Sequence, residues 1–383
     1  MKRRRKFAAL WLILSFFASM PQTLADCECG YSIITSGGGD DDDNTQVFTN
    51  LLEADFIHID YVGEGATRND WATQTYNMSS QAARGSYGES FVATGVQNDL
   101  VKDANLWTND DTDGDNVGLR LMVRSETVNG MIQGGQVATT AGDYFWGSYR
   151  ASIKVTAVQG TCSAFFWYFN DTQEIDLEFL SKDFSASGSH YPVNLVLQSP
   201  RSRSAGYDAS GTGTFINASL PFDPTADFHE YRFDFLAGRV LFYADGDLLA
   251  TMDDSTGAVP KSSGNLILSH WSNGNAEWSG GPPNQDAASI VRYVKAYYNA
   301  SSPARRNAAA ARCVDPTASA AVCAVPEGNA TFFFMYQDNM TAGQAGADGN
   351  TDSGATAWVR RGNGSSVAFS IALLAFMWVC GLI

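Results

Sequence analysis

Between about Phe48 and Asn299 the apolar positions recur every second residue, in short runs cut by turn residues. "GLRLMV" (118–123) and "YRASIKV" (149–155) alternate in this way. "EYRFDFL" (230–236), Ala237–Gly238, "RVLFYA" (239–244), Asp245–Gly246 and "DLLATM" (247–252) read as a meander. Asp-Gly between two alternating runs is a strong hairpin signal. "NLILSHW" (265–271) and "IVRYVKAYY" (290–298) add two more strands. No helix of ten or more residues is predicted in this region. Many short strands with regular turns predict an all-β domain over 48–300, two packed antiparallel sheets forming a sandwich or jelly roll.

The flanks read differently. Residues 2–6 are KRRRK, an apolar stretch from Phe7 to Phe17 follows, and small residues end near Ala25. This is the layout of a cleaved secretory signal peptide over 1–25, the apolar run being short for a membrane span. Residues 26–47 hold two cysteines and the acidic connector "SGGGDDDDN" (36–44). From Ser301 the composition turns to Ala, Gly, Asn, Ser and Thr, which predicts a glycosylated, mostly disordered stalk over 301–353. The small trio Ser353–Gly354–Ala355, the spacer "WVRRGNGSS" and an apolar end from Val367 to Ile383 match a GPI-attachment signal over 354–383. A single-pass helix is the rival, against which Arg360 and Arg361 stand on the non-cytoplasmic side. Sequons at Asn77, Asn170, Asn217, Asn299, Asn329 and Asn339, with a seventh at Asn363, fit a secreted, surface-anchored glycoprotein.

Composition narrows the function. The chain carries 25 Lys and Arg against 41 Asp and Glu, a formal net charge of −16, and the two ends expected to be removed hold basic residues but no acidic ones. Such a chain repels polyanions, which excludes nucleic acid, and is compatible with a neutral polysaccharide. Cys27, Cys29, Cys313 and Cys323 flank the main domain and are placed to tie its ends, with the pairing left open. Cys162 is then left over as a buried small residue. With only four His, there is little material for a zinc site or a Ser-His-Asp triad. "DTDGDN" (111–116) resembles half a calcium loop but lacks the flanking helices and terminal Glu, and reads as a solvated turn. No cofactor is called for, structural calcium being the one alternative, and a monomer is expected.

One run does not fit a structural strand. In "EIDLEF" (174–179), Glu174, Asp176 and Glu178 alternate with Ile175, Leu177 and Phe179, so three carboxylates share one face with no cation between them. Carboxylates so crowded cannot all ionise, and their proton affinities are driven apart. Cleavage of a glycosidic bond needs such a pair, one carboxyl to protonate the leaving oxygen and one carboxylate across the sugar. Glu174 and Glu178 lie about 13 Å apart along an extended strand, a gap that a concave sheet narrows. A solvated acidic strand and a structural calcium site are the alternatives. Aromatic runs surround the triad: "YFWGSY" (144–149), "SAFFWYFN" (163–170) and "HWSNGNAEWSGGPP" (270–283). Sugar rings stack on such side chains, which makes Tyr149, Trp167, Trp271 and Trp278 candidate substrate contacts. Trp271 and Trp278, in a Gly/Asn/Ser-rich loop, are expected to escape core packing best.

These residues resemble glycoside hydrolase family 16. "EIDLEFLSKD" is similar to the unbulged E-[ILV]-D-x-E signature of that family. "WGSYRASIKV" is similar to the strand before the catalytic one, "FHEYRFDFLAGRVLFYADGDLL" to its late hairpin, and "HWSNG…EWSGG" to its Trp loops. The resemblance covers roughly residues 140–299. It implies a concanavalin A-like jelly roll, with Glu174 as nucleophile, Glu178 as general acid/base and Asp176 tuning the nucleophile. It also places Asn194 near the reacting sugar and Trp271 in the cleft. Arg150 and Ser152 stand where licheninase-like relatives carry Glu and Arg, and Val196 where an aromatic is expected. These departures bear on the glucan linkage. The implied function is a retaining endo-acting glycosidase on β-glucan, β-1,3 or mixed β-1,3/1,4, in cell-wall remodelling. The alternatives are a transglycosylase using the same site and a lectin-like module that binds glucan without cleaving it.

Overall fold

The computed structural model describes residues 27–35, 44–61, 70–101, 116–184 and 190–339. The signal segment, the connector at 36–43, most of "DTDGDN", Asn363 and the 354–383 tail lie outside the described residues.

Two large sheets face each other. The first runs, edge to edge, through Phe215–Ser219 (β15), Pro192–Gln198 (β14), Gln173–Leu180 (β13), Cys162–Asn170 (β12), Asn265–Trp271 (β19), Met131–Thr139 (β10), Gly88–Phe91 (β6) and Tyr76–Met78 (β5). Trp71–Thr73 (β4) and Thr127–Val128 (β9) also pair with β10. The second runs through Asp247–Asp253 (β18), Arg239–Ala244 (β17), His229–Leu236 (β16), Tyr144–Lys154 (β11), Ala287–Ala300 (β20), Gly118–Val123 (β8) and Val96–Asp99 (β7), with Asn50–Asp55 (β3) also on β20. Nearly all neighbours are antiparallel; β6 on β10 is parallel. The fold is an all-β jelly roll. A small third sheet joins Thr45–Phe48 (β2), Gly30–Ile34 (β1) and Val322–Ala324 (β21).

Local chemistry explains the strand order. The predicted meander closes as β16–β17–β18, with Asp245 and Gly246 both at positive φ as its tight turn requires. Between the sheets the period-two apolar positions interdigitate. Phe165 and Trp167 of β12 meet Phe233 and Phe235 of β16 at 5.1 Å between ring centroids, and Phe179 meets Tyr231 at 4.6 Å. Ile175, Leu177 and Phe179 are fully buried in this core, which turns Glu174, Asp176 and Glu178 to the opposite face of β13.

The expectation of a disordered stalk is corrected for residues 301–339, while 340–353 lie outside the described residues. Pro303–Arg312 is a helix (α1) with Pro at its first turn and a run of alanines, and β21 follows it. Cys27–Cys323 and Cys29–Cys313 are disulfides that fasten this segment to β1. Its chain then crosses the outer face of the second sheet. There Glu327 accepts from Arg150 and Arg232, Asn329 and Ala330 carbonyls accept from Lys295 Nζ, and Phe333 is buried. Sparse anchors order a segment whose average composition is that of a disordered one. Arg150 and Ser152 face this outer side of β11, away from the carboxylates, so the expectation that they bear on the linkage is also corrected.

Candidate active site

The carboxylate face is built by register. β12 pairs with β13 so that Tyr168, Phe166, Ala164 and Cys162 stand opposite Glu174, Asp176, Glu178 and Leu180. β14 sets Gln198, Val196 and Asn194 opposite the same three carboxylates, and β15 sets Asn217 opposite Asn194. On the other side β19 brings Trp271 opposite Cys162 and Ser269 opposite Ala164.

All three carboxylates are 2–3% exposed. Burial is the first cause that pushes Glu174 and Asp176 well above the usual carboxylate range, because desolvation penalises the charged form. The charge of Glu178 raises both further. The hydrogen bond between Asp176 and Glu174 acts in opposite directions on the two, lowering Glu174 and raising Asp176. Cys162 Sγ lies 3.7 Å from Glu178 Oε1. Burial first, then the charge of Glu178, raises the Cys162 thiol well above its ordinary value, so it is a neutral donor.

A polar rim continues from Glu174. The Tyr168 hydroxyl donates to Asp171 Oδ1 at 2.7 Å, Tyr207 donates to Asp171 Oδ2 at 3.4 Å, and Arg84 lies over the Tyr207 ring at 4.9 Å. Asn194 Oδ1 accepts from Asn217 Nδ2 at 2.7 Å. Asp176 Oδ1, Gln198 Oε1, Ser269 Oγ and Trp271 Nε1 are buried polar atoms with no hydrogen-bond partner. Two are acceptors, one is a donor and one is either, a set suited to a ligand rich in hydroxyl groups. Among the described residues no group of three or more His, Cys, Asp or Glu is placed to hold a metal ion.

The predicted aromatic contacts fare unevenly. Trp167 and Tyr149 are in the core, not on the carboxylate face. Trp167 donates to the Tyr144 carbonyl at 3.0 Å, and Tyr149 donates to the Phe145 carbonyl. Both alternate to the inner side of their strands, where an inter-sheet position buries a large ring. Trp271 and Trp278 are 2% and 3% exposed and pack with Cys162 and Leu180, against the expectation that their loop would leave them open. The loop folds back on itself: Asn273 Oδ1 accepts from Asn275 N and Ser279 Oγ, and Asn273 Nδ2 donates to the Ala83 carbonyl. Tyr168, Cys162, Gln198, Ser269 and Asn217 escaped sequence reasoning. The alternation within "CSAFFWYFN" carried the signal for the first two, since every second residue there shares the carboxylate face.

Residues 101–289 match the model of glycosyl hydrolases family 16. A β-glucanase of Paenibacillus polymyxa is 28% identical over 180 residues, 45% of this chain and 68% of that protein. A β-glucanase of Paenibacillus macerans is 33% identical over 143 residues, 36% of this chain and 53% of that protein. The chain thus spans about half to two thirds of the length of these relatives. A crystal structure of a β-1,3-1,4-glucanase (lichenase) derived from a mouse hindgut metagenome superposes with a TM-score of 0.46 at 18% identity, over 64% of this chain and 98% of that one. Through the domain at 101–289, the chain belongs to glycosyl hydrolases family 16 and is a glycosidase.

Proposed function

We propose that the chain is a retaining, endo-acting hydrolase of β-glucan, with β-1,3 or mixed β-1,3/1,4 linkages as its substrate class. The observation that carries this reading is the buried row Glu174–Asp176–Glu178, three carboxylates brought onto one face of β13. In the first step Glu178 gives its proton to the glycosidic oxygen, the bond to the leaving chain breaks, and Glu174 forms an ester with the anomeric carbon. In the second, Glu178 takes a proton from water as the water oxygen attacks the same carbon, and Glu174 leaves as a carboxylate. Asp176 donates to Glu174 throughout and so keeps the nucleophile ionised in a dry site. Asn194, Gln198 and Trp271 Nε1 are suited to hold sugar hydroxyls. The crowded carboxylates disfavour a lectin-like role, because binding alone gains nothing from their mutual repulsion.

Work outside the cell, at a cell wall or surface, is part of this proposal. Two disulfides joining residues nearly 300 apart in sequence fit an oxidising compartment.

A 2-deoxy-2-fluoro glucosyl donor tests the chemistry. Mass spectrometry of the digested protein should find one added glycosyl group on the peptide holding Glu174, and Glu174→Gln should abolish both labelling and release of shorter glucan chains. Labelling elsewhere, or unchanged cleavage by Glu174→Gln, would sink the assignment. Products longer than a defined donor oligosaccharide would identify transfer in place of hydrolysis.

A further inference from the structure

Asn217 begins the sequon Asn217-Ala218-Ser219 on β15, an edge strand of the first sheet. Asn217 and Ser219 are both exposed. In the register of β15, β14 and β13, Asn217, Asn194 and Glu178 stand in one row. Adjacent strands are about 4.8 Å apart, so Asn217 is rooted about 10 Å from Glu178 on the same face. Its Nδ2 already points inward along that row, donating to Asn194 Oδ1 at 2.7 Å.

The other described sequons engage different surroundings. Asn170 Oδ1 accepts from its own sequon Thr172, as Asn329 Oδ1 does from Thr331. Asn77 accepts from Ser90 on the opposite edge pair, and Asn299 accepts from Thr49. Among the sequons whose side chains are described, Asn217 is the one that bonds a residue of the carboxylate face.

We propose that Asn217 is an N-glycan acceptor, and that its glycan stands at the β15 edge of the active-site face and restricts long glucan chains there. The free edge of β15 leaves room for the sugar. Attachment replaces one of the two hydrogens on Nδ2, and the remaining N–H can keep its bond to Asn194. A short oligosaccharide centred on Glu178 does not reach the glycan; a polymer crossing the sheet does. This inference rests on the assignment of Glu174 and Glu178 as the reacting pair.

The test uses the full chain secreted from a glycosylating eukaryotic host, as wild type and as Ser219→Ala, which destroys the sequon and keeps Asn217. Peptide mapping before and after endoglycosidase treatment reads occupancy. The expected result is a glycan on Asn217, and a several-fold rise in kcat/KM on polymeric β-glucan for Ser219→Ala with no change on a short chromogenic glucoside. Retention on immobilised β-glucan is measured for the same two proteins, and Ser219→Ala should be held longer. An unmodified Asn217, or equal behaviour of the two proteins on polymer, overturns the proposal. If neither protein turns over any glucan while occupancy and retention behave as expected, the catalytic assignment has failed and the glycan assignment stands.

Discussion

Arg150 on β11 donates both terminal nitrogens to one carboxylate, that of Glu327, at 2.8 and 2.9 Å across 177 residues of sequence. Arg150 is 2% exposed, and Arg232 adds a third contact to Glu327 at 3.2 Å. Glu327 itself is 41% exposed on its side chain, so solvent screens the pair in part. Removing it leaves a buried guanidinium with Glu230 at 3.8 Å as its nearest remaining anion. Glu327→Ala should therefore lower unfolding stability by about 1–3 kcal/mol in urea titrations. Activity per folded molecule should not change, because Arg150 lies on the side of the fold away from Glu174.

The two disulfides should act non-additively. Cys27–Cys323 spans 296 residues and Cys29–Cys313 spans 284, so either alone joins nearly the same ends. Once one is formed, the other closes only the short remaining segments, a ring of about 12 residues, and removes about half as much chain entropy as the first. Replacing one pair with Ser should cost about 3 kcal/mol, whereas replacing both should cost more than the sum of the singles, about 8 kcal/mol. Calorimetric or urea unfolding of the three variants decides this. A double loss equal to the sum of the singles would mean that each bond acts locally.

Why this C-terminal segment was illegible has a physical answer. Order there comes from two cysteines, Glu327 and Phe333, and window averages over Ala, Ser and Asn dilute such isolated anchors. The carboxylate strand was legible for the converse reason: alternation in "EIDLEF" assigns each side chain to a face with no knowledge of its neighbours. Trp167 and Tyr149 mark the limit of that reasoning. Their strands alternate plainly, but which face points to the core depends on pairing with β13 and β16, which a single strand does not encode. Trp278 depended on a loop that folds back on Asn273, and Trp271 is not in that loop at all but ends β19, paired with Cys162.

Glu53 supplies a pH dependence. Its carboxylate accepts from Phe334 N and Met335 N at 2.9 Å each, and burial first of all pushes it up to about 7 from an ordinary 4.5. The folded state then holds a proton that the unfolded chain releases between these values. Stability from this group is full below about pH 4.5 and is lost as pH rises to about 7, by at most about 3 kcal/mol. Glu53→Gln cannot titrate, so the stability difference between wild type and variant should fall across that window and be flat above it. Chemical denaturation at several pH values measures the slope, and a difference independent of pH refutes the assignment.

Asp176 can be separated into a charge and a proton donor. Its hydrogen bond lowers the proton affinity of Glu174, which burial and the charge of Glu178 raise. If donation is what matters, Asp176→Asn keeps an N–H toward Glu174 and should retain part of the activity. Asp176→Ala removes the donor and should lower kcat by about 10²–10³-fold, within the range for losing one positioned hydrogen-bond donor. The pH profile discriminates further. Without a donor Glu174 holds its proton more tightly, so the acid limb of kcat/KM should move to higher pH in Asp176→Ala and stay near its wild-type position in Asp176→Asn. Equal losses and equal shifts in the two variants would show that the charge of Asp176, not its proton, is what Glu174 needs.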